Sequence, residues 1–323
     1  MSGAPSLEGF GLAVGHGTDE AGGTGCTVVR GIDAPLRASA CVLGRATGTR
    51  EVALLAPDAM ADRIDAILLT GGSAYGLDAA GGVMRWMEER RRGHPIGGGV
   101  VPIVPTAVVF DLAPLGRFDA RPTAEMAYAA CDGATAAGIA EGSVGAGTGC
   151  TVGKAMGVAH AMKGGVGIAV AGPERAGGVA CAAIAVVNAF GHVRAADGSI
   201  LAGPRLPDGG FADTERLLMH ADPLVGAAAN TTLAVVALNV ALSKVELHQV
   251  ARAASAALHR RLAPAGTSYD GDVIFAVAPM DGPRAPLIQC EAFAVAALEH
   301  AIERAVRLAR GRDGVPGLAD AAR

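Results

Sequence analysis

The sequence predicts an α/β protein, on three observations. Short β-rich apolar stretches alternate with segments of helical apolar spacing along all 323 residues. Hydrophobic residues make up 51% of the chain, enough for a sizeable core. No composition shift or Pro/Ser-rich linker interrupts it, so the elements are expected to interleave in one domain over 1–323.

Taken in order, residues 26–32 and 37–43 read as strands between Gly and Pro turns, and 66–70 as a buried strand. Ser73 is placed to cap a helix in which Leu77, Ala80, Val83, Met84 and Met87 fall at helical spacing before Gly93 and Pro95. Residues 123–137 form an alanine-rich helical stretch. From 142 to 193 the chain is glycine-rich and strand-like, and 233–238 is a short buried strand. Ser243 and Glu246 make a capping-box pattern ahead of Leu247, Val250, Ala251, Ala254 and Leu258 on one helix face. A strand over 273–278 follows. A helix over 291–310, with Leu298, Ala301, Ile302 and Ala305 inward and Gly311 as its stop, closes the pattern. The hexamer Gly-Thr-Gly-Cys-Thr-Val occurs at 23–28 and again at 147–152. Its wide spacing and dissimilar flanks read as two similar strand-entry loops, not a solenoid repeat.

A formal charge of -4, spread thinly apart from the short Arg90 to Arg92 run, and an aromatic content of 3% argue against a nucleic-acid partner. The six cysteines show no C-x-x-C pair and no zinc-spaced histidine cluster, so neither a metal nor a cofactor is expected. Reduced cysteines and the lack of a visible leader point to the cytoplasm. Residues 223–243 run uncharged long enough to span a bilayer. Asn230, Thr231, Thr232 and Asn239 would then lie in lipid at a cost of kcal/mol each, so a strand after a small-residue loop is the better account.

Three motifs fail on inspection. Gly149 to Lys154 is one residue short of a phosphate loop, with Ala155 where a magnesium-binding hydroxyl belongs. Ser73 lacks the second glycine of a nucleophile elbow, since Tyr75 stands there. Cys150 has no histidine nearby in sequence and reads as a small buried thiol.

The informative stretch is Gly226-Ala227-Ala228-Ala229-Asn230-Thr231-Thr232-Leu233, a small-residue loop running into a β-rich segment. A threonine at such a junction can attack the carbonyl before it, shift the chain from amide to ester, and leave a free α-amino group once water splits the ester. That amine, with an ordinary pKa of about 8, can take the hydroxyl proton, so one residue carries nucleophile and base. By itself Asn230-Thr231 reads first as a plain loop-to-strand turn.

Blocks along the chain add a second line of argument. They are Val14-Gly15-His16 with Thr24-Gly25-Cys26-Thr27-Val28, then Leu69-Thr70-Gly71-Gly72-Ser73-Ala74-Tyr75-Gly76-Leu77, and Val144-Gly145-Ala146-Gly147-Thr148-Gly149. They continue through Met162-Lys163-Gly164-Gly165-Val166-Gly167, Val187-Asn188-Ala189, Asn230-Thr231-Thr232-Leu233 and Asp270-Gly271-Asp272. In this order they resemble the self-processing aminopeptidases: the L-aminopeptidase/D-esterases, the β-peptidyl aminopeptidases and the endo-type nylon-oligomer hydrolases. Thr231 is similar to the last group, since the aminopeptidases carry serine there.

The resemblance implies a four-layer αββα sandwich of the N-terminal-nucleophile type, cut into a large subunit, 1–230, and a small one, 231–323. It implies Thr231 as nucleophile, Asn188 as oxyanion donor, and Asp270 and Asp272 orienting the threonine and moving protons. Lys163 is the expected cation and Lys154 its rival; Phe110, Gly147 and Thr148 are expected to border the substrate. The implied partners are a small peptide or oligoamide and further copies of the processed chain. An acyltransferase similar to ornithine acetyltransferase, or a non-catalytic binding protein on the same scaffold, are the alternatives.

Overall fold

In the computed structural model, residues 5–113, 115–173, 178–220 and 230–322 are described. The small-residue loop at 226–229 therefore lies outside the described residues.

Two five-stranded sheets organise the chain. The first runs Leu12–Asp19, Thr24–Gly31, Ala66–Thr70, Thr106–Val108 and Thr49–Arg50 across its width. The second runs Gly165–Ala171, Cys181–Asn188, Thr231–Leu238, Val273–Pro279 and Leu36–Val42. In both, the third and fourth strands are parallel and every other neighbouring pair is antiparallel.

Side chains alternate across each strand, and here both faces are apolar because both are covered. Val29, Ile67 and Leu69 of the first sheet meet Ile184, Val186, Leu233, Val235, Val273 and Phe275 of the second in one inner core. On the outer face of the first sheet, Cys26, Val28, Ala66 and Leu68 pack under the helices Ala80–Glu89 and Ala124–Asp132. On that of the second, Ala183, Ala185, Ala234, Val236, Ile274 and Ala276 pack under Lys244–Arg261 and Leu287–Arg307. The order helix, sheet, sheet, helix is the αββα sandwich expected.

Ser243 caps its helix as read: its hydroxyl accepts the Glu246 N–H, and the Glu246 carboxylate accepts the Ser243 N–H at 2.7 Å. Ser73 does not cap. Gly72 precedes the turn, no side chain caps it, and Ser73 sits at a φ of 50° with its N–H on the Val109 carbonyl, so residues 73–79 wind as a tight 3₁₀ turn before the helix starts at Ala80. The last long helix starts four residues early, after Pro286, and ends at Arg307, ahead of Gly311. Among the described residues no helix is long and apolar enough to cross a membrane. The part of the uncharged stretch at Thr231–Leu238 is a central strand of the second sheet.

Candidate active site

The site forms where three neighbouring strands of the second sheet end together. The antiparallel register sets Asn188 opposite Thr231. The parallel ladder pairs Leu233 with Val273, and a bridge between Asn230 and Asp270 carries the same register beyond it. Asn188, Asn230, Thr231, Asp270 and Asp272, distant in sequence, are thereby gathered and all buried.

Thr231 is 4% exposed and its hydroxyl donates to the carbonyl oxygen of Asn230 at 2.5 Å. The same oxygen accepts the Gly271 N–H at 2.8 Å. Asp272 reaches the residue after the nucleophile: Oδ1 accepts the Thr232 N–H at 2.6 Å and Oδ2 the Gly266 N–H at 2.9 Å. Burial, and then the neighbouring Asp270 carboxylate, push its carboxyl well above the usual range. Asp270 is held in a turn, its Oδ2 accepting both the N–H and the hydroxyl of Thr267 at 2.8 and 2.7 Å. Among the described residues, the Asn230 amide nitrogen and the Thr232 hydroxyl are buried without a hydrogen-bond partner.

Asn188 is oriented by its neighbours. Its Oδ1 accepts the Thr151 N–H at 2.9 Å and the Lys154 ammonium at 3.0 Å, which fixes the amide so that Nδ2 is the donating end. That nitrogen donates to the Phe110 carbonyl at 3.0 Å. Half-buried Phe110 thus enters the site through its backbone.

The two lysines weighed from sequence separate clearly. The Lys154 ammonium bonds both the carbonyl and the side-chain oxygen of Asn188 at 3.0 Å, and burial pulls its pKa down to about 7, with Asp270 opposing. The Lys163 ammonium lies in a cage of four carbonyls, those of Gly147, Thr148, Cys150 and Gly164, at 2.6 to 3.2 Å. None of these bonds reaches Thr231 or Asn188. The Lys-Gly-Gly block that drew attention to Lys163 thus sets its ammonium in this cage, and the Gly164 carbonyl is one of its walls. Gly147 and Thr148 likewise present their carbonyls to Lys163.

The glycine-rich blocks converge on Asp111, to which sequence reading gave no role. Thr24 donates to it at 2.7 Å and the Gly72 N–H at 2.6 Å, while a Cβ at Gly71 or at Gly149 would collide with it at 2.0 and 2.7 Å. The two Gly-Thr-Gly-Cys-Thr-Val hexamers thus pack together around one buried carboxyl, whose pKa burial raises to about 6.

Comparison with known proteins bears on this geometry. A model of peptidase family S58 matches residues 10–318. An aminopeptidase of Mycobacterium tuberculosis, itself named as uncharacterized, is 44% identical over 246 residues, covering 73% of this chain and 67% of the relative. A 6-aminohexanoate-oligomer endohydrolase of Paenarthrobacter ureafaciens is 31% identical over 277 residues, covering 83% and 72%. Two solved structures share the fold. A Burkholderia beta-aminopeptidase has a TM-score of 0.69 at 21% identity, over 99% of this chain and 93% of its own. The L-aminopeptidase D-Ala-esterase/amidase of Ochrobactrum anthropi, described as a variant of the Ntn hydrolase fold, has a TM-score of 0.69 at 19% identity, over 94% and 87%. The chain therefore belongs to peptidase family S58 and is a hydrolase of amide bonds.

Proposed function

We propose that the protein cuts itself between Asn230 and Thr231 and then hydrolyses small linear amides with the exposed Thr231. The observation that carries this reading is the buried hydroxyl of Thr231 held 2.5 Å from the carbonyl oxygen of Asn230.

In the first event Oγ1 bonds to the Asn230 carbonyl carbon and the C–N bond to Thr231 breaks. The hydroxyl proton ends on the departing nitrogen. Water then splits the ester, releasing the Asn230 carboxylate and restoring the hydroxyl. The new amine accepts the Oγ1 proton when a substrate carbonyl arrives, and gives it to the leaving amine.

Asn188 supplies Nδ2 to the oxyanion, and Lys154 acts on it from behind by fixing the amide orientation. With a pKa drawn down to about 7, Lys154 is partly neutral near pH 7, which limits its repulsion of the Thr231 amine. We assign Lys163 to the architecture of the turn. Asp272 holds the Thr232 N–H and so fixes the peptide beside the nucleophile. Asp270 shapes the facing turn through Thr267.

The substrate class, a short peptide or an oligoamide, follows from what the relatives are named for. A cytoplasmic location fits the free cysteines, and assembly of processed copies into a homo-oligomer completes the reading. A denaturing gel tests it together with an amide panel: two fragments and release of amine to water support it, whereas acyl transfer to an amine acceptor would move the protein to the transferases.

A further inference from the structure

We propose that the backbone N–H of Gly271 is the donor that stabilises the Asn230 carbonyl as it is attacked, and that residue 271 is glycine to leave room for the nucleophile. This rests on the self-cleavage proposed above and assigns a group that the argument so far has not used.

A carbonyl oxygen has two lone pairs. On Asn230 both are met by donors, the Thr231 hydroxyl at 2.5 Å and the Gly271 N–H at 2.8 Å. The two differ in what the reaction does to them. When Oγ1 bonds to the carbonyl carbon it surrenders its proton, so its hydrogen bond to the oxygen is lost as negative charge grows there. Of the two, the Gly271 N–H alone remains.

That N–H is fixed before the reaction begins. The register of the parallel ladder sets Gly271 opposite Thr231. The carbonyl of the same peptide unit, on Asp270, accepts the Ala46 N–H at 3.0 Å, and the Asp272 carbonyl accepts those of Leu43 and Gly44 at 2.9 and 3.2 Å. The peptide is pinned at its far end and polarised toward Asn230, and a donor aimed in advance needs no reorganisation.

The side chain is excluded for a separate reason. Gly271 is not among the glycines with positive φ, so its backbone conformation is open to any residue. A Cβ there would lie 2.7 Å from Thr231 Oγ1 and 2.8 Å from the Ala46 carbonyl oxygen. The second neighbour is backbone, held by the Ala46 N–H donating to the Asp270 carbonyl at 3.0 Å, so displacement of the hydroxyl that must attack follows.

The test removes one atom group. Gly271 is exchanged for glycolic acid during cell-free translation, turning its amide into an ester, so that an oxygen replaces the N–H and no side chain is altered. The rate of cutting between Asn230 and Thr231 is followed by gel in the full-length chain. It is expected to fall about 100-fold, the loss seen when one oxyanion donor is removed. The same exchange at Ala276, with lactic acid, removes a donor from the same strand beyond the site, and cutting is expected to be unchanged. Equal rates for wild type and the Gly271 ester, or equal slowing by both esters, overturn the proposal. Gly271→Ala keeps the N–H and is expected to slow cutting in the chain that remains folded, with a lower melting temperature from the overlap with the Ala46 carbonyl; cutting at the wild-type rate in that variant refutes the spatial argument. A wild-type chain that never cuts would instead defeat the self-cleavage reading itself.

Discussion

Thr231 sits at the first position of a central strand, where its hydroxyl touches the carbonyl of the peptide it is proposed to break. Thr231→Ala is expected to leave the chain uncut and inactive, while Thr231→Ser, which keeps a hydroxyl, is expected to be cut and to retain turnover; a denaturing gel and an amide assay read both. The two lysines give a sharper comparison. Lys154→Met is expected to lower hydrolysis about 100-fold, the order of loss when an oxyanion donor is no longer held in place, since it removes the group that orients Asn188. Lys163→Met leaves four buried carbonyls without their cation and is expected to cost on the order of 3 kcal/mol of stability, read in a denaturant titration.

Two titrations give the uncut Thr231→Ala chain an opposed pH dependence. Asp272 keeps its proton in the folded chain above the 3.8 at which the unfolded chain loses it. Its stabilisation is therefore complete at low pH and is lost as pH rises through the raised value. Lys154 behaves in the other sense: the unfolded chain holds that proton to 10.5 and the folded chain to about 7, so stability rises with pH between those values. Adding Asp272→Asn is expected to reduce the fall in melting temperature between about pH 4 and 7, leaving the share that Asp111, raised to about 6, contributes; an unchanged profile would show that Asp272 is not a group responsible.

Asn188, Asn230, Thr231, Asp270 and Asp272 were singled out because the blocks they stand in resemble those of the self-processing aminopeptidases, and the fold gathers them at one end of the second sheet. Sequence reading preferred Lys163 to Lys154, on the strength of the Lys-Gly-Gly block. Lys154 follows Gly153 and Lys163 precedes Gly164-Gly165, and only the fold shows that one ammonium meets a side-chain amide and the other a ring of carbonyls. Asp111 and the Gly271 N–H were out of reach for a related reason: a buried carboxyl looks like any turn aspartate, and a backbone donor leaves no mark in composition.

At the scale of elements, the strand at Ala66–Thr70 and the capped helix at Lys244–Arg261 were legible because apolar runs and a capping box are local signals. Ser243→Ala is expected to destabilise the protein by about 1 kcal/mol, since it removes one half of that box; thermal or denaturant unfolding measures it. The turn at 73–79 was misread because Ser73 obeys a distant partner, the Val109 carbonyl, in place of the helix it precedes. The Leu287–Arg307 helix begins early because Leu287 and Cys290 continue its buried face toward Pro286. Pairing of the Asn230 and Asp270 segments depends on the crossover helix Lys244–Arg261 returning the chain parallel to itself. No local pattern in either segment announces the other.

At the scale of the whole molecule, the four layers hold the Asn230–Thr231 peptide at the end of the second sheet, between a strand that supplies Asn188 and one that supplies Gly271 and Asp272. Both neighbours lie on the same sheet, so the strands are already in register before any bond is cut, and cutting need not rearrange the core. The measurement that bears most directly on this is the intact mass of the purified protein, taken on a sample shown to hydrolyse an amide. Two polypeptides, ending at Asn230 and beginning at Thr231, are the expected result. A single uncut chain of 32.0 kDa in a fully active sample would contradict it.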